Sequence, residues 1–233
     1  MPKKINVKGE IVGNSNAWIY EWLGIEHTSP QSIAKQIAEA NGEEIEVEIN
    51  SPGGEIFAGS EIYTALRSYN GNKKIRIVGL AGSAASVIAQ AGESEISPTA
   101  MFMIHKVSSR ASGNHRAMEH QGEVLRTADE SIVSAYVDKT GMSKEELLEM
   151  MDKETWLSAQ QAVDYGFVDK VMFQDSRMPL TNSIGGIPPE TIEKIRNLIK
   201  GPGNNATDYF NAENLEKQKA EARLRLLNLK GDF

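Results

Sequence analysis

Residues 44–54, EIEVEINSPGG, and residues 74–80, KIRIVGL, carry the pattern that decides the fold. Apolar residues alternate with charged ones from Ile45 to Ile49, which predicts a half-buried strand that ends in a glycine-rich turn. We expect a helix from about Glu55 to Tyr69, between the two strands. Strand, turn, helix and strand in this order predict an α/β fold with a largely parallel sheet.

The same alternation continues outward from these two stretches. Upstream lie a predicted strand with a glycine irregularity and a helix opened by a hydroxyl residue and a proline, at Ile5–Val12 and Thr28–Gly42. Downstream we predict a short buried helix at Ser83–Ala91 and a strand at Met101–Ile104. A long amphipathic helix follows at His115–Thr140, then a second helix with a capping box at Ser143–Met151 and a last strand at Phe167–Phe173.

Composition excludes several classes of protein. The chain has 233 residues, 40% hydrophobic and 24% charged, as in ordinary folded proteins. It has no cysteine, which excludes disulfide frameworks, cysteine nucleophiles and cysteine-ligated metals and indicates an intracellular chain. The net charge of -7, without a basic patch, argues against nucleic-acid binding. Without a long apolar run or a signal-peptide pattern, we expect a cytoplasmic protein with no membrane contact.

The composition changes near residue 174. Two linker-like stretches follow, at residues 185–189 and 201–205, with predicted helices at residues 190–200 and 213–229. We therefore expect a main domain of residues 1–173 and a linker-rich C-terminal extension of residues 174–233. The last helix either docks on a neighbouring protein or is a solvated terminal helix.

Two turns present backbone N–H groups at the start of a helix that follows a strand, at residues 51–54 and 79–83. Such turns hold anions and oxyanions in α/β folds, although each alone is more often only a tight turn. Ser83 lies among small residues that would let a substrate carbonyl approach its hydroxyl. On this pattern alone a helix N-cap is the more common role, and Ser86 is an equal candidate for a nucleophile.

His105 differs from the other histidines because it directly follows the predicted strand MFMI. The end of a strand faces the crevice of an α/β sheet, where an imidazole can act as a general base, although a hydrogen-bonded structural histidine fits equally well. His27, His115 and His120 are expected to be solvated. No histidine has a carboxylate at metal-ligand spacing, so we expect no metal site.

Four motifs occur in a fixed order along the chain. They are residues 50–54 (NSPGG), 79–85 (GLAGSAA), 103–105 (MIH) and 156–169 (WLSAQQAVDYGFVD). Together they resemble the proteolytic subunit of the Clp protease over about residues 4–173, and Trp156 with its acidic lead-in resembles the phage-encoded head-maturation branch. The resemblance implies a crotonase-like (ClpP-like) α/β fold of repeated β-β-α or βαβ units with a C-terminal helical extension, and no cofactor.

Roles carried over by motif make Ser83 the nucleophile and His105 the general base. Gly54 and Ala84 would supply the N–H groups of an oxyanion hole, about 3 Å from the developing oxyanion. With Ser83 as nucleophile, replacing Ser86 is expected to be nearly silent.

The assignment of the acid, the third member of a Ser-His-acid triad, is less direct. The family has an aspartate two residues before the aromatic residue of the fourth motif, where this chain has Glu154. Asp152 is the alternative. The apolar pattern of the preceding helix predicts that Asp152 is still helical and solvated, so we favour Glu154.

The resemblance implies a serine endopeptidase that works inside an oligomeric ring. Heptameric rings, stacked into a tetradecamer, would enclose the sites, with polypeptides such as scaffold or capsid proteins as substrates and an AAA+ unfoldase as a further partner. Phage head maturation in a bacterial cytoplasm, from a prophage gene, is the expected setting. The alternatives are an inactive ring-forming phage assembly protein and an acyl-CoA-handling enzyme of the same fold.

Overall fold

The computed structural model describes residues 2–174, which belong to one compact unit, Met1–Asp175. Within them eight strands form one sheet: β1 (Lys3–Ile11), β2 (His27–Thr28), β3 (Ile45–Gly54), β4 (Lys73–Gly82), β5 (Glu93–Ile96), β6 (Met101–Ile104), β7 (Thr155–Ser158) and β8 (Lys170–Val171). The helices are α1 (Asn14–Leu23), α2 (Pro30–Ala40), α3 (Ile56–Arg67), α4 (Ala84–Ile88), α5 (His115–Thr140), α6 (Lys144–Asp152) and α7 (Ala159–Asp164), with a 3₁₀ turn at Ala89–Ala91. The predicted extension lies, apart from Gln174, outside the described residues.

The sheet is parallel except at one pair of strands. Its order is β2-β1-β3-β4-β5-β8, and β6 runs parallel to the end of β4 while β7 pairs antiparallel with β6. Strand β4 changes neighbour along its length: Lys74–Ile77 pair with β5, and Leu80–Gly82 pair with β6. Because of this change of partner, the C-terminal end of β4 lies beside β6.

The two faces of the sheet differ in chemistry, as the alternating sequence predicts. One face is buried against α2, α3 and α4 and consists of Ile5, Val7, Ile45, Val47, Ile49, Ile75 and Ile77. Each such side chain stabilises the fold by about 1.5–3 kcal/mol. The other face carries ion pairs, in which Arg76 donates to Glu46 at 3.0 Å and to Glu95 at 2.8 Å. A charged face on a mostly parallel sheet departs from the usual burial of both faces.

The edges of the sheet are short. Strands β2 and β8 have two residues each. Along β1, the N–H of Asn6 donates to the Gln36 side chain at 3.0 Å, and the N–H of Lys8 donates to the Thr28 hydroxyl at 2.8 Å. Gly9, with φ 66°, shifts the register between β1 and β3, which is the predicted glycine irregularity.

Helix α5 spans the residues predicted for it and packs against α4 and α6. Its buried residues are Asp129, Val133, Ala135 and Tyr136. The Tyr136 ring meets Phe167 edge-on at 5.6 Å, and Phe167 lies 5.2 Å from Phe102 of β6. Among residues 2–174, no helix combines the length and apolar character needed to cross a membrane.

Candidate active site

Ser83 follows β4 directly and is the N-cap residue of α4. Its backbone has φ 52° and ψ −124°, a conformation that non-glycine residues rarely adopt and that costs about 1–3 kcal/mol. The Ser83 N–H donates to the Met103 carbonyl at 3.0 Å, and the Ser83 carbonyl accepts from the Ser86 N–H at 2.9 Å. The strained turn is therefore tied to β6 on one side and to α4 on the other.

His105 reaches Ser83 because of the register between β4 and β6. Gly82 pairs with Met103, so Ser83 and His105 lie one and two residues beyond a paired position. The His105 Nε2 atom is 2.7 Å from the Ser83 hydroxyl oxygen, a hydrogen-bond distance. The structure thus brings the predicted nucleophile and the predicted base together, 22 residues apart in sequence.

Ser86, the other hydroxyl near this turn, is fully buried. Its hydroxyl is 2.6 Å from the Ser83 carbonyl oxygen and 2.7 Å from the Tyr136 hydroxyl. A substrate carbonyl has no access to a hydroxyl enclosed in this way, so Ser86 is not a candidate nucleophile.

The glycine pair at the end of β3 lies against the Ser83 turn. A Cβ atom on Gly53 would lie 2.6 Å from the Ser83 Cβ atom, so only glycine permits this approach. A Cβ atom on Gly54 would lie 2.1 Å from the Ile11 carbonyl oxygen of β1. The need for glycine at position 54 therefore comes from backbone packing against β1, and the oxyanion roles of the Gly54 and Ala84 N–H groups stay predictions.

Glu154 is placed near His105 by its backbone but not by its side chain. The antiparallel pair β6–β7 ends where Ile104 pairs with Thr155, and His105 and Glu154 are the next residues beyond this last pair. Glu154 has φ 48°, and its carboxylate accepts a hydrogen bond from Trp156 Nε1 at 3.2 Å. Within residues 2–174 we find no hydrogen bond to His105 Nδ1, so the predicted contact between Glu154 and the imidazole is not formed here.

Asp152, the alternative acid, ends α6 as predicted and is exposed. Its carboxylate forms an ion pair with Lys106 Nζ at 2.7 Å. The hydrogen bond from Lys106 holds the pKa of Asp152 below its usual value. This carboxylate is therefore committed to a surface contact beside His105.

Two further groups near the site were missed in the sequence. Asp129 is buried on α5 and accepts a hydrogen bond from the Val107 N–H at 2.7 Å, two residues after His105. Tyr136 on the same helix contacts Ser86. Asp129, Val133 and Tyr136 lie on one face of α5, at helical spacing. A polar residue spaced in this way among apolar ones is the sequence signal that would have revealed both groups. No cluster of three or more metal-ligating side chains occurs within the described part of the chain.

Comparisons with known proteins show a family and several relatives that the chain resembles. The family model for Clp protease matches residues 23–175. The ATP-dependent Clp protease proteolytic subunit of Deinococcus radiodurans is 35% identical over 136 residues, which cover 57% of this chain and 66% of that protein. The ATP-dependent Clp protease proteolytic subunit 1 of Chlamydia muridarum is 32% identical over 138 residues, covering 57% of this chain and 71% of that protein.

Among solved structures, a ClpP1 mutant from Listeria monocytogenes aligns with a TM-score of 0.61 at 24% sequence identity. The alignment covers 73% of this chain and 91% of that one. This likeness confirms the predicted crotonase-like α/β fold.

Proposed function

The chain belongs to the Clp protease family, whose model matches well over half of it, and we propose that it is an endopeptidase that acts through Ser83. Membership confirms the enzyme class predicted from the sequence, a serine-type peptidase. The observation that carries the assignment to Ser83 is its 2.7 Å contact with His105 Nε2.

The proposed reaction starts with transfer of the Ser83 hydroxyl proton to His105 Nε2 as the oxygen attacks the scissile carbonyl. The oxyanion of the tetrahedral intermediate accepts hydrogen bonds from the Gly54 and Ala84 N–H groups. His105 then returns its proton to the leaving amine, and water hydrolyses the acyl-enzyme by the same route. All these residues lie within 1–173, the domain to which we assign the chemistry.

Glu154 is the proposed acid. For His105 Nε2 to accept a proton, the neutral ring must carry its other proton on Nδ1, and a carboxylate that accepts from Nδ1 fixes this tautomer. His105 and Glu154 are each one residue beyond the last paired position of β6 and β7, which supports the proposal. The role requires a change of the Glu154 side-chain rotamer with loss of the Trp156 contact.

The finer assignment follows the resemblance. It comprises heptameric rings stacked as a tetradecamer, an AAA+ unfoldase partner, scaffold or capsid polypeptides as substrates, and head maturation by a prophage-encoded enzyme in a bacterial cytoplasm. Electron microscopy of the purified protein should show seven-fold rings. Particles without that symmetry would contradict this part of the proposal and leave the chemistry at Ser83 unaffected.

A serine-directed fluorophosphonate tests the chemistry. We expect a covalent adduct that peptide mapping places on Ser83, and none in Ser83→Ala. We also expect hydrolysis of an unstructured protein such as casein. An assembled protein that neither reacts nor cleaves would favour the inactive assembly protein or the acyl-CoA enzyme, neither of which needs a hydroxyl paired with an imidazole.

A further inference from the structure

A buried chain of hydroxyl groups runs from α5 to the backbone of Ser83. The Tyr136 hydroxyl is 2.7 Å from the Ser86 hydroxyl, which is 2.6 Å from the Ser83 carbonyl oxygen. Ser86 is 0% exposed and Tyr136 2% exposed, so water does not compete for these contacts. None of the steps proposed above uses either side chain.

The donors and acceptors in this series of hydrogen bonds follow from counting protons. A carbonyl oxygen only accepts, so Ser86 donates its single hydroxyl proton to Ser83. Tyr136 must then be the donor to the Ser86 oxygen. Burial raises the pKa of Tyr136, which keeps its proton in place at every pH at which the enzyme would work.

The carbonyl held in this way belongs to a peptide unit with a second function. The Ser83 C=O and the Ala84 N–H share one planar trans peptide and point in opposite directions. Fixing the oxygen therefore fixes the direction of the Ala84 N–H, the proposed oxyanion donor. A donor of this kind is effective only when it is oriented before the charge develops.

We infer that Ser86 and Tyr136 are positioning residues that hold the Ser83–Ala84 peptide plane so that the Ala84 N–H faces the oxyanion. This inference rests on the proposed function of Ser83 and extends it to the packing of α5. It replaces the expectation that Ser86→Ala is nearly silent.

Three variants test the inference by steady-state kinetics on a fluorogenic peptide: Ser86→Ala, Tyr136→Phe and the double variant. Each single change should lower kcat by about 10-fold and leave KM within about 2-fold, because the oxyanion contact forms in the transition state. The double variant should be no worse than about the poorer single one, since both act through one chain of contacts. The pH midpoint of kcat should not move, because His105 is untouched.

Val133→Ala is the matched control, since Val133 is a buried core residue on the same helix, one turn from Tyr136. We expect it to lower the melting temperature and to keep the wild-type kcat. If Ser86→Ala and Tyr136→Phe behave like this control, their role is only structural and the inference is wrong.

A readout independent of turnover separates this inference from the proposed function. In protein labelled with ¹⁵N-alanine, the Ala84 amide resonance should shift in both single variants and stay in place in Val133→Ala. Unchanged Ala84 resonances would overturn the inference even in an active enzyme. A wild-type protein that neither cleaves peptide nor reacts with fluorophosphonate would refute the proposed function, while a shifted resonance would still support the positioning contact.

Discussion

Two regions of the site are built in opposite ways: the turn at Ser83, the proposed nucleophile, and the acid segment, residues 152–156, which carries both candidate acids. Around Ser83 the neighbouring residues are buried, and the strained backbone is fixed by Met103 and Ser86. Residues 152–156 are mostly exposed, and their two carboxylates are held by Trp156 and Lys106 at the surface. Ser83 and Glu154 both have a positive φ, but only the first is enclosed by the core. The half of the site that holds the proposed nucleophile is therefore preorganised by folding, whereas Glu154, the proposed acid, would have to give up its Trp156 contact to reach His105.

The largest expected effect is at the preorganised half. Ser83→Ala should reduce peptidase activity by about 10⁴-fold or more, since only binding and oxyanion stabilisation remain. The melting temperature should stay close to that of the wild type because the bonds that fix the turn are made by backbone atoms and Ser86. Peptide hydrolysis and thermal unfolding measure the two expectations, and an active Ser83→Ala enzyme would remove Ser83 from the mechanism.

The acid segment gives the next largest effect. Glu154→Gln should lower kcat by about 10³-fold at neutral pH, because an amide cannot stabilise the imidazolium. Asp152→Asn is the matched control and should cost no more than a few-fold, since this carboxylate forms an exposed ion pair.

Kinetics of the two variants decide the assignment. The opposite ranking would transfer the role of the acid to Asp152. Two mild effects would show that Ser83 and His105 work as a dyad.

Gly53→Ala would disrupt the close approach of the Gly53 backbone to Ser83, the proposed nucleophile. A methyl group would overlap the Ser83 Cβ atom, so we expect about 2 kcal/mol or more of lost stability and at least about 10-fold lower kcat. Gly122→Ala, within α5, meets only the end of the Arg126 side chain at 3.8 Å and should stabilise the protein by about 0.5–1 kcal/mol. Urea unfolding compares them, and equal stabilities would contradict the predicted crowding at Gly53.

The smallest effect concerns the end of α5 that carries Tyr136. Asp169 accepts from Lys139 Nζ at 2.5 Å and from the Ser94 N–H at 2.7 Å. Burial alone would raise the pKa of Asp169, but these hydrogen bonds outweigh it and the pKa lies below its usual value. A lowered folded-state pKa stabilises the fold above the unfolded-state pKa, and that contribution disappears as the pH falls through the folded-state pKa.

Asp169→Asn should therefore cost about 1 kcal/mol near pH 7, allowing for solvent screening of a half-exposed carboxylate. The difference from the wild type should shrink as the pH falls below about 3.9, the unfolded-state pKa. Urea unfolding across this range measures it. A difference that is independent of pH would show that the charge of Asp169 contributes nothing.

Much of the fold could be predicted because local pattern and burial agree. The alternation over residues 44–54 marks the apolar and charged faces of β3, and the ends of α5 and the capping box of α6 lie where the sequence predicts them. Helix α1 was not predicted because Trp18 and Trp22 are exposed, so its apolar residues form no buried stripe. Strands β5 and β7 were missed because four residues show little periodicity.

One predicted strand was too long. Only Lys170–Val171 of the expected strand Phe167–Phe173 pairs in the sheet, although Phe167 and Val168 are buried. The apolar run there indicates burial in a turn after α7 and not a full strand. Composition alone could not distinguish the two.

The site was predictable in its residue types more than in its contacts. The nearness of Ser83 and His105 depends on the β4–β6 register, which spacing along the chain does not show. The Ser86–Tyr136 contact joins residues 50 apart and depends on how α5 packs, so no local pattern encodes it. The resemblance to a family supplied what periodicity could not.

The partly occupied edges of the sheet bear on how the protein limits edge-to-edge pairing of its strands with other chains. An exposed strand edge is a template for pairing with another chain. Here the N–H groups of Asn6 and Lys8 in β1 are occupied by the side chains of Gln36 and Thr28. The two outermost strands, two residues each, are too short to seed a cross-β stack. Gln36→Ala frees the Asn6 N–H and is therefore expected to make β1 more prone to pair with a strand of another chain.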